Sequence, residues 1–312
     1  MSGPRFAPYR ELGRTGFAAT RIGIGDIADR AVAFDTLVAT LRRALDFGLN
    51  LVDTAPSYED GYSERVVGAA LAGRRSGVFV IDKVDHFDRP VARQIGESLE
   101  RLGLDAADAF VLHGVRSLEQ WNELARPGGV WDELEACRAQ GRCRFVGISA
   151  HDPAALRAAL TSNKLDIALF PVGPYVDTRY VDEILPLART LRVGTVCFKT
   201  FGAGKLLGDT EGYGRPLANR PRGKLSSGGA DESSPTLPRL SVSECVHYTL
   251  TLDPDVALLG MSFPNEQDAA LAAAESFQPL SAEAMASIRE RAAHAIAHKG
   301  PCWWNPPDAA FW

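Results

Sequence analysis

Along this chain, short apolar runs alternate with segments whose apolar residues recur at helical spacing. The opening YRELGRTGFAATRIGIG has two short alternating segments around the turn-like GRTG, and it reads as a hairpin or N-terminal plug leading into a strand. Residues 33–47 then place Leu37, Leu41, Ala44 and Leu45 on one face at helical spacing, and Gly48 closes the helix. The alternation repeats through LNLVD, a helix near 63–73, VFVID, a helix near 89–102, AFVLH, a helix near 117–139 and RFVGIS. It continues with a helix near 153–161, DIALF, a helix near 180–190, RVGTVCF, a long interruption, a helix near 241–252, VALLG and a last helix over 282–298.

With IGIG as the first strand the pattern supplies eight strands separated by helices, the number that closes a parallel barrel whose strands are buried on both faces. A doubly wound open sheet shares the local pattern, but the early glycine-rich fingerprint of a dinucleotide-binding sheet is missing, and IGIG is too short to serve as one. The predicted fold is therefore an α/β protein, a (β/α)8 TIM barrel with an N-terminal β-hairpin, a C-terminal helix and an aromatic tail. It forms one domain over 1–312. Residues 209–240 form a Gly-, Pro- and Ser-rich insertion after the seventh strand, open to two readings: a lid over the catalytic face or a tolerated mobile insertion. In the tail, 299–312, three tryptophans and a phenylalanine call for cover, either across the barrel or against a second subunit.

Composition removes several function classes. The formal net charge of -5 comes from 34 basic and 39 acidic residues that are interspersed, with no basic stripe for nucleic acid and no cationic amphipathic segment for a membrane surface. Apolar runs stop well short of the roughly 20 residues a spanning helix needs, and a cytoplasmic protein is expected, as a monomer or a homo-oligomer. The cysteines (Cys137, Cys143, Cys197, Cys245, Cys302) form no CxxC pair, and their odd number fits reduced thiols better than a disulfide framework or a structural metal site.

Candidate chemistry gathers at strand ends, where a barrel places its function. Asp53, Lys83 and His113 each directly follow an apolar run on the second, third and fourth strands, and Tyr58 lies in the loop just past Asp53. A tyrosine hydroxyl titrates near 10, so it donates a proton at neutral pH only when neighbours stabilise its anion. Lys83 can do so electrostatically, Asp53 can keep that lysine charged and oriented, and His113 can hydrogen-bond a substrate oxygen on which negative charge grows. Each residue also has an ordinary reading: Asp53 a cap, Lys83 a solvated strand end paired with Asp82 or Asp85, His113 a rim histidine, Tyr58 a packing aromatic. Their joint placement favours the proton-donating site.

The stretches LVDTAPSYEDGYSERVVGAAL, FVIDK, SLERLGLDAADAFVLHG and RFVGIS, in that order along nearly the whole chain, resemble the aldo-keto reductase superfamily. The resemblance implies a barrel with an N-terminal hairpin and a tetrad of Asp53, Tyr58, Lys83 and His113. Tyr58 would be general acid in reduction and base in oxidation, and a nicotinamide cofactor, NADP or NAD, would deliver hydride to an aldehyde or ketone without a metal. It assigns the cofactor to Asp26 and Ser149, to Phe198, Lys199, Phe201, Gly202, Gly204, Lys205 and Leu206 around the seventh strand, and to Gly260, Met261, Ser262, Glu266 and Gln267 after the eighth. Gly202 and Gly204 allow close approach of backbone N–H groups to phosphate, and Lys205 adds charge.

Several positions depart from the family pattern. Ser149-Ala150 stands where Ser-Asn is frequent, Leu169 replaces a common glutamine, and Phe263 or Pro264 stands where a basic residue usually meets the 2'-phosphate, which weakens NADPH as the default. These departures resemble the iron-sulfur-associated branch of the superfamily, but its C-terminal cysteine cluster is missing, so no cluster is expected. Candidate substrate contacts are Tyr62, His86, Trp121 and Trp303, with Asp26, Phe87, Trp131 and Tyr175 as further pocket candidates. Two rivals stay open: a barrel lyase or isomerase using Lys83 or His113, and a catalytically diverged nicotinamide-binding regulatory subunit.

Overall fold

A computed structural model describes residues 9–25, 27, 30, 32–208, 238–297 and 299–311. The hairpin pairs β1 (Arg10–Glu11) with β2 (Ala18–Ala19) antiparallel. Eight parallel strands then close on themselves: β3 (Ile22–Gly25), β4 (Leu51–Asp53), β5 (Phe79–Val84), β6 (Ala107–Val115), β7 (Cys143–Ala150), β8 (Ile167–Pro171), β9 (Gly194–Phe198) and β10 (Val256–Gly260). Each pairs with the next, and β10 returns to β3 through Ala257 opposite Ile22. The barrel, rather than the doubly wound sheet, is the architecture.

The surrounding helices are α1 (Phe34–Asp46), α2 (Tyr62–Leu71), α3 (Val91–Leu102), α4 (Leu118–Leu124), α5 (Val130–Ala139), α6 (Pro153–Thr161), α7 (Leu185–Thr190), α8 (Val242–Thr251), α9 (Pro264–Glu275) and α10 (Ala282–Ile296). Two differ from the sequence expectation. The helix expected over 117–139 is two, because Pro127 and Gly128, the latter at φ 72°, turn the chain between them. And α9 was not expected at all: its buried face is mostly Ala270, Leu271 and Ala273, too small to give a clear period against neighbouring alanines.

Strand alternation sorts the interior. Leu51, Phe79, Ile81, Ala109, Val111, Ile167, Leu169, Val196, Val256 and Leu258 fill the barrel, while Val52, Val80, Val84, Phe110 and Leu112 face the helices. The hairpin closes the bottom. Its Leu12 joins the inner core, Phe17 lies 5.1 Å from the Phe79 ring, and a Cβ on Gly13 would fall 2.1 Å from the Gly194 nitrogen. Only glycine permits that approach, and the φ of 51° at Gly13 favours it too.

The aromatic tail folds in part onto its own chain, while Trp303 and Phe311 stay 48% and 45% exposed. The Trp304 indole is fully buried and donates from Nε1 to the Tyr175 carbonyl at 2.9 Å, while the Tyr180 hydroxyl donates to the Trp304 carbonyl at 3.4 Å. Asn305 accepts from the Asp177 N–H, Arg179 bridges Asp177 and Asp308, and Phe311 stacks on Tyr175 at 4.7 Å. Of the 209–240 insertion, 209–237 lie outside the described residues. Its last part is anchored: Leu240 is buried and donates its N–H to the Leu206 carbonyl at 2.7 Å, and Lys299 Nζ reaches the Pro238 carbonyl at 2.9 Å. Replacing the buried indole, Trp304→Ala, is expected to cost about 3–5 kcal/mol in urea denaturation. A loss below about 1 kcal/mol would mean the tail contributes no packing.

Candidate active site

The same alternation carries chemistry to the top of the barrel. On β5, Phe79 and Ile81 point inward, so Lys83 is the next inward residue, and Asp82 faces the helices with Val80 and Val84. On β4 Asp53 follows Leu51 at the same spacing, and on β6 His113 follows Ala109 and Val111. Three adjacent strands thus deliver a carboxylate, an ammonium and an imidazole to one rim.

Lys83 is 2% exposed, and its Nζ donates to Asp53 Oδ2 and to the Thr54 carbonyl, each at 2.6 Å. It pairs with neither Asp82 nor Asp85. Burial raises the Asp53 carboxyl above its usual value, and the Lys83 ammonium draws it part of the way back. Tyr58 folds over this pair, with Lys83 Nζ 4.5 Å from its ring centroid and His113 edge-on at 5.9 Å. The fold-back is built by three consecutive left-handed residues, Glu59, Asp60 and Gly61, at φ 51°, 55° and 71°. A Cβ at Gly61 would meet the Arg101 side chain at 2.7 Å, so that position needs glycine for both reasons. Below the turn, buried Glu64 is paired with Arg101 and ties α2 to α3.

Asp85 is a site residue that the strand-end reading left in a subordinate role. It holds His113 Nδ1 through Oδ1 and accepts the Ser57 N–H on Oδ2 at 2.7 Å, so one carboxylate orients the imidazole and the tyrosine loop together. Burial works to raise its carboxyl, but the hydrogen bonds from His113 and Ser57 prevail and hold it below its usual value. The sequence signal is a carboxylate one residue past the end of β5, two on from Lys83. Behind the site, Asp82 is buried among the helices, and burial together with Glu64 pushes its carboxyl well up.

Across the mouth from the tetrad lie β7, β9 and the tail. Ser149 is buried on the inward row of β7. His151, just past the strand, sits between the rings of Phe198 and Trp303 at 5.2 and 5.1 Å, and the Trp303 indole is 48% exposed. Burial first, and the Lys199 charge second, depress the His151 imidazole to about 3, and its Nδ1 is buried without a hydrogen-bond partner. Thr200 Oγ1 is also buried and unpartnered. Phe201 is half-buried, and Gly202, Ala203 and Gly204 all have positive φ. Polar atoms orphaned in this way call for a polar ligand. A hydroxyl, an imidazole nitrogen and the half-buried Lys199 around a left-handed loop fit the amide and phosphate groups of a nicotinamide dinucleotide.

Other candidates are placed differently. Lys205 is buried and gives its ammonium to the Pro301 carbonyl at 2.7 Å, anchoring the tail, while Leu206 is core. Glu266 caps α9 by accepting from Ser262 and Phe263 N–H at 2.9 and 3.3 Å, and Gln267 donates to the Thr40 carbonyl at 2.8 Å. Gly260 is exposed at the strand end, whereas Met261 and Ser262 are buried. Asp26 lies outside the described residues. Trp121 proves to be core: it is 3% exposed and packs edge-on against buried Trp131 at 5.5 Å, because both face inward from their own helices. His86 is exposed with its backbone held by Gln94, Phe87 is half-buried, and Tyr62 packs edge-on against Phe34. Among the described residues no group of His, Cys, Asp and Glu could hold a metal ion.

The family model described as the Aldo/keto reductase family matches residues 19–293. The methylglyoxal reductase YeaE of Escherichia coli K12 is 38% identical over 120 residues, covering 38% of this chain and 40% of that protein, so the match spans well under half of the relative. An NADH-specific methylglyoxal reductase of the same organism is 27% identical over 230 residues, 63% of this chain and 68% of its own length. Among solved structures, an aldo-keto reductase from Bacillus halodurans in its holo form superposes with a TM-score of 0.69 at 23% identity, covering 94% of this chain and 99% of that one. One from Klebsiella pneumoniae in complex with NADPH gives 0.67 at 21% identity, with 96% of each chain covered.

The depressed imidazole yields a pH prediction. An unfolded histidine takes up its proton below about 6.5, whereas folded His151 does so only near 3. Between these values the unfolded chain binds more protons, so His151 lowers stability as pH falls through that window. Imidazole NMR should find His151 neutral at pH 5, and His151→Asn should flatten the loss of stability on acidification. A His151 titration near 6.5 would show the ring open to water.

Proposed function

Because the chain belongs to the Aldo/keto reductase family, we propose that it is an NAD(P)(H)-dependent oxidoreductase that interconverts an aldehyde or ketone and the corresponding alcohol. The observation that carries this reading is the Lys83 ammonium held between Asp53 and Thr54 beneath the Tyr58 ring. When bound, the reduced nicotinamide supplies a hydride to the carbonyl carbon. Residues suited to hold that cofactor are Ser149, Phe198, Lys199 and Thr200, with the backbone of Gly202 and Gly204.

The protein's own work is proton transfer and charge control. Tyr58 donates its hydroxyl proton to the carbonyl oxygen in reduction and recovers it from the alcohol in oxidation. Lys83, kept charged by Asp53, stabilises the phenolate left behind. His113, oriented by Asp85 through Nδ1, leaves Nε2 for the oxygen on which charge develops, and donates to it when both ring nitrogens carry protons. The buried pair also disfavours the lyase alternative. A Schiff-base lysine must lose its proton, and Lys83 has a carboxylate and a carbonyl both favouring the charged form.

We assign the protein to the cytoplasm, supported by its free cysteines and by the lack, among the described residues, of a helix long and apolar enough to cross a membrane. Tyr58→Phe removes the acid while keeping the ring, and is expected to lower kcat for a reducible aldehyde by about 100-fold or more. The measurement is nicotinamide oxidation at 340 nm. A rate within about threefold of wild type would remove Tyr58 from the role of general acid.

A further inference from the structure

The loop after β9 suits a phosphate: Thr200 Oγ1 is buried there without a partner, and Gly202, Ala203 and Gly204 turn at positive φ. The next strand of the barrel is β10, which pairs with β9 at Val256–Val196 and Ala257–Cys197, so α9 starts beside that loop on the same face. Barrels frequently build a phosphate site from these two loops and a helix N-terminus. The first turn of α9 is arranged against a phosphate of its own.

A helix start receives an anion through N–H groups that have no intrahelical partner, aided by its dipole. Here a carboxylate of the chain already fills that place. Glu266, 5% exposed, accepts the Ser262 N–H at 2.9 Å and the Phe263 N–H at 3.3 Å, and Pro264 in the first turn has no N–H to give. Asp268 is exposed two residues further on, and its Oδ1 pairs with Arg43 Nη2 from α1. The same guanidinium donates to Gln267 Oε1 at 3.1 Å and to the Pro264 carbonyl at 3.2 Å, and it lies 4.7 Å from the Phe47 ring centroid. Arg43 is therefore committed to acceptors of its own chain.

We propose that the start of α9 selects an unphosphorylated adenosine ribose, so that the protein takes NAD(H) in preference to NADP(H). The proposal rests on the oxidoreductase reading above and names its cofactor. With the pyrophosphate at the β9 loop, the adenosine ribose meets the neighbouring exit of β10. A ribose 2'-hydroxyl can donate there to Asp268 Oδ2, the role an acidic residue plays toward NAD in open dinucleotide-binding sheets. A 2'-phosphate has only acceptors, carries about two negative charges, and would face both Glu266 and Asp268. Asp268 is thus a specificity residue twice over, because it also keeps Arg43 from clamping a phosphate.

The test is the pair of dissociation constants for NADH and NADPH, read from quenching of tryptophan fluorescence and so independent of turnover. The wild-type protein is expected to bind NADH about tenfold or more tighter than NADPH. Asp268→Ala removes one carboxylate and releases Arg43, so NADPH should tighten by about tenfold and the preference should fall to about one or reverse. Adding Arg43→Gln to that variant should weaken NADPH again while moving NADH by less than about threefold. Equal affinities or tighter NADPH in the wild type, or an NADH preference that Asp268→Ala leaves in place, overturns the inference while the oxidoreductase reading stands. Binding of neither nucleotide up to about 1 mM overturns both.

Discussion

A lysine ammonium inside a closed barrel is tolerable only when its charge is met on the spot, and the upper half of this molecule is arranged around that requirement. Lys83 occupies the row that Phe79 and Ile81 fill with hydrocarbon lower down. It is held there by one carboxylate and one carbonyl from the adjacent strand and its loop. Breaking such a pair by removing one partner typically costs about 3–5 kcal/mol, because the other charge stays buried. The Asp53–Lys83 contact therefore fixes the register between strand ends, and it places a positive charge directly beneath a phenol. The loop that carries Tyr58 is held by Asp85, which accepts the Ser57 N–H and whose carboxylate also orients His113. Asp53 at the end of β4 and Asp85 just past β5 thus order the whole proton-transfer set.

The far rim is organised by the tail. Lys205 and Lys299 spend their ammonium groups on backbone carbonyls at its root, and Trp304 and Asn305 lock it to the segment after β8. The result is that Trp303 stands over His151 and Lys199 on a rigid base. A side chain nearly half exposed at the edge of a mouth is then a wall of that mouth, although its position in the sequence is remote from every strand.

Much of this was legible because barrels obey strict alternation. The eight apolar runs gave the closed sheet, and the polar residues immediately after three of them gave Asp53, Lys83 and His113, which the structure brings to one rim. What resisted reading were features set by packing rather than period. Helix α9 hides its pattern behind alanines. Trp121 was a candidate for substrate, but a neighbouring helix supplied Trp131 to pack against it. Lys205, read as a phosphate ligand from a glycine-rich stretch, is committed to a tail nearly a hundred residues away in sequence. Contacts of that range leave no local mark, so the tail's aromatic content announced burial without saying where.

Backbone strain separates the two ends of the barrel. Among the described residues, non-glycine positive φ angles occur at Glu59, Asp60, Asn163, Arg192, Lys199, Ala203 and Asp253. Asn163, Arg192 and Asp253 follow the last turns of α6, α7 and α8, where a left-handed residue commonly closes a helix before the chain enters the next strand. The remaining residues lie in the loops after β4 and β9, on opposite sides of the mouth, where no helix end accounts for them. One loop turns Tyr58 back over Lys83, and the other aims Lys199 at Trp303. Conformations of this kind cost about 1–3 kcal/mol each and persist only where surrounding contacts over-determine them. Asp85 and the Glu64–Arg101 pair do so for the first loop. For the second, a Cβ on Gly173 would fall 2.8 Å from the Lys199 carbonyl oxygen, so the segment after β8 is pressed against the strained residue and holds it there.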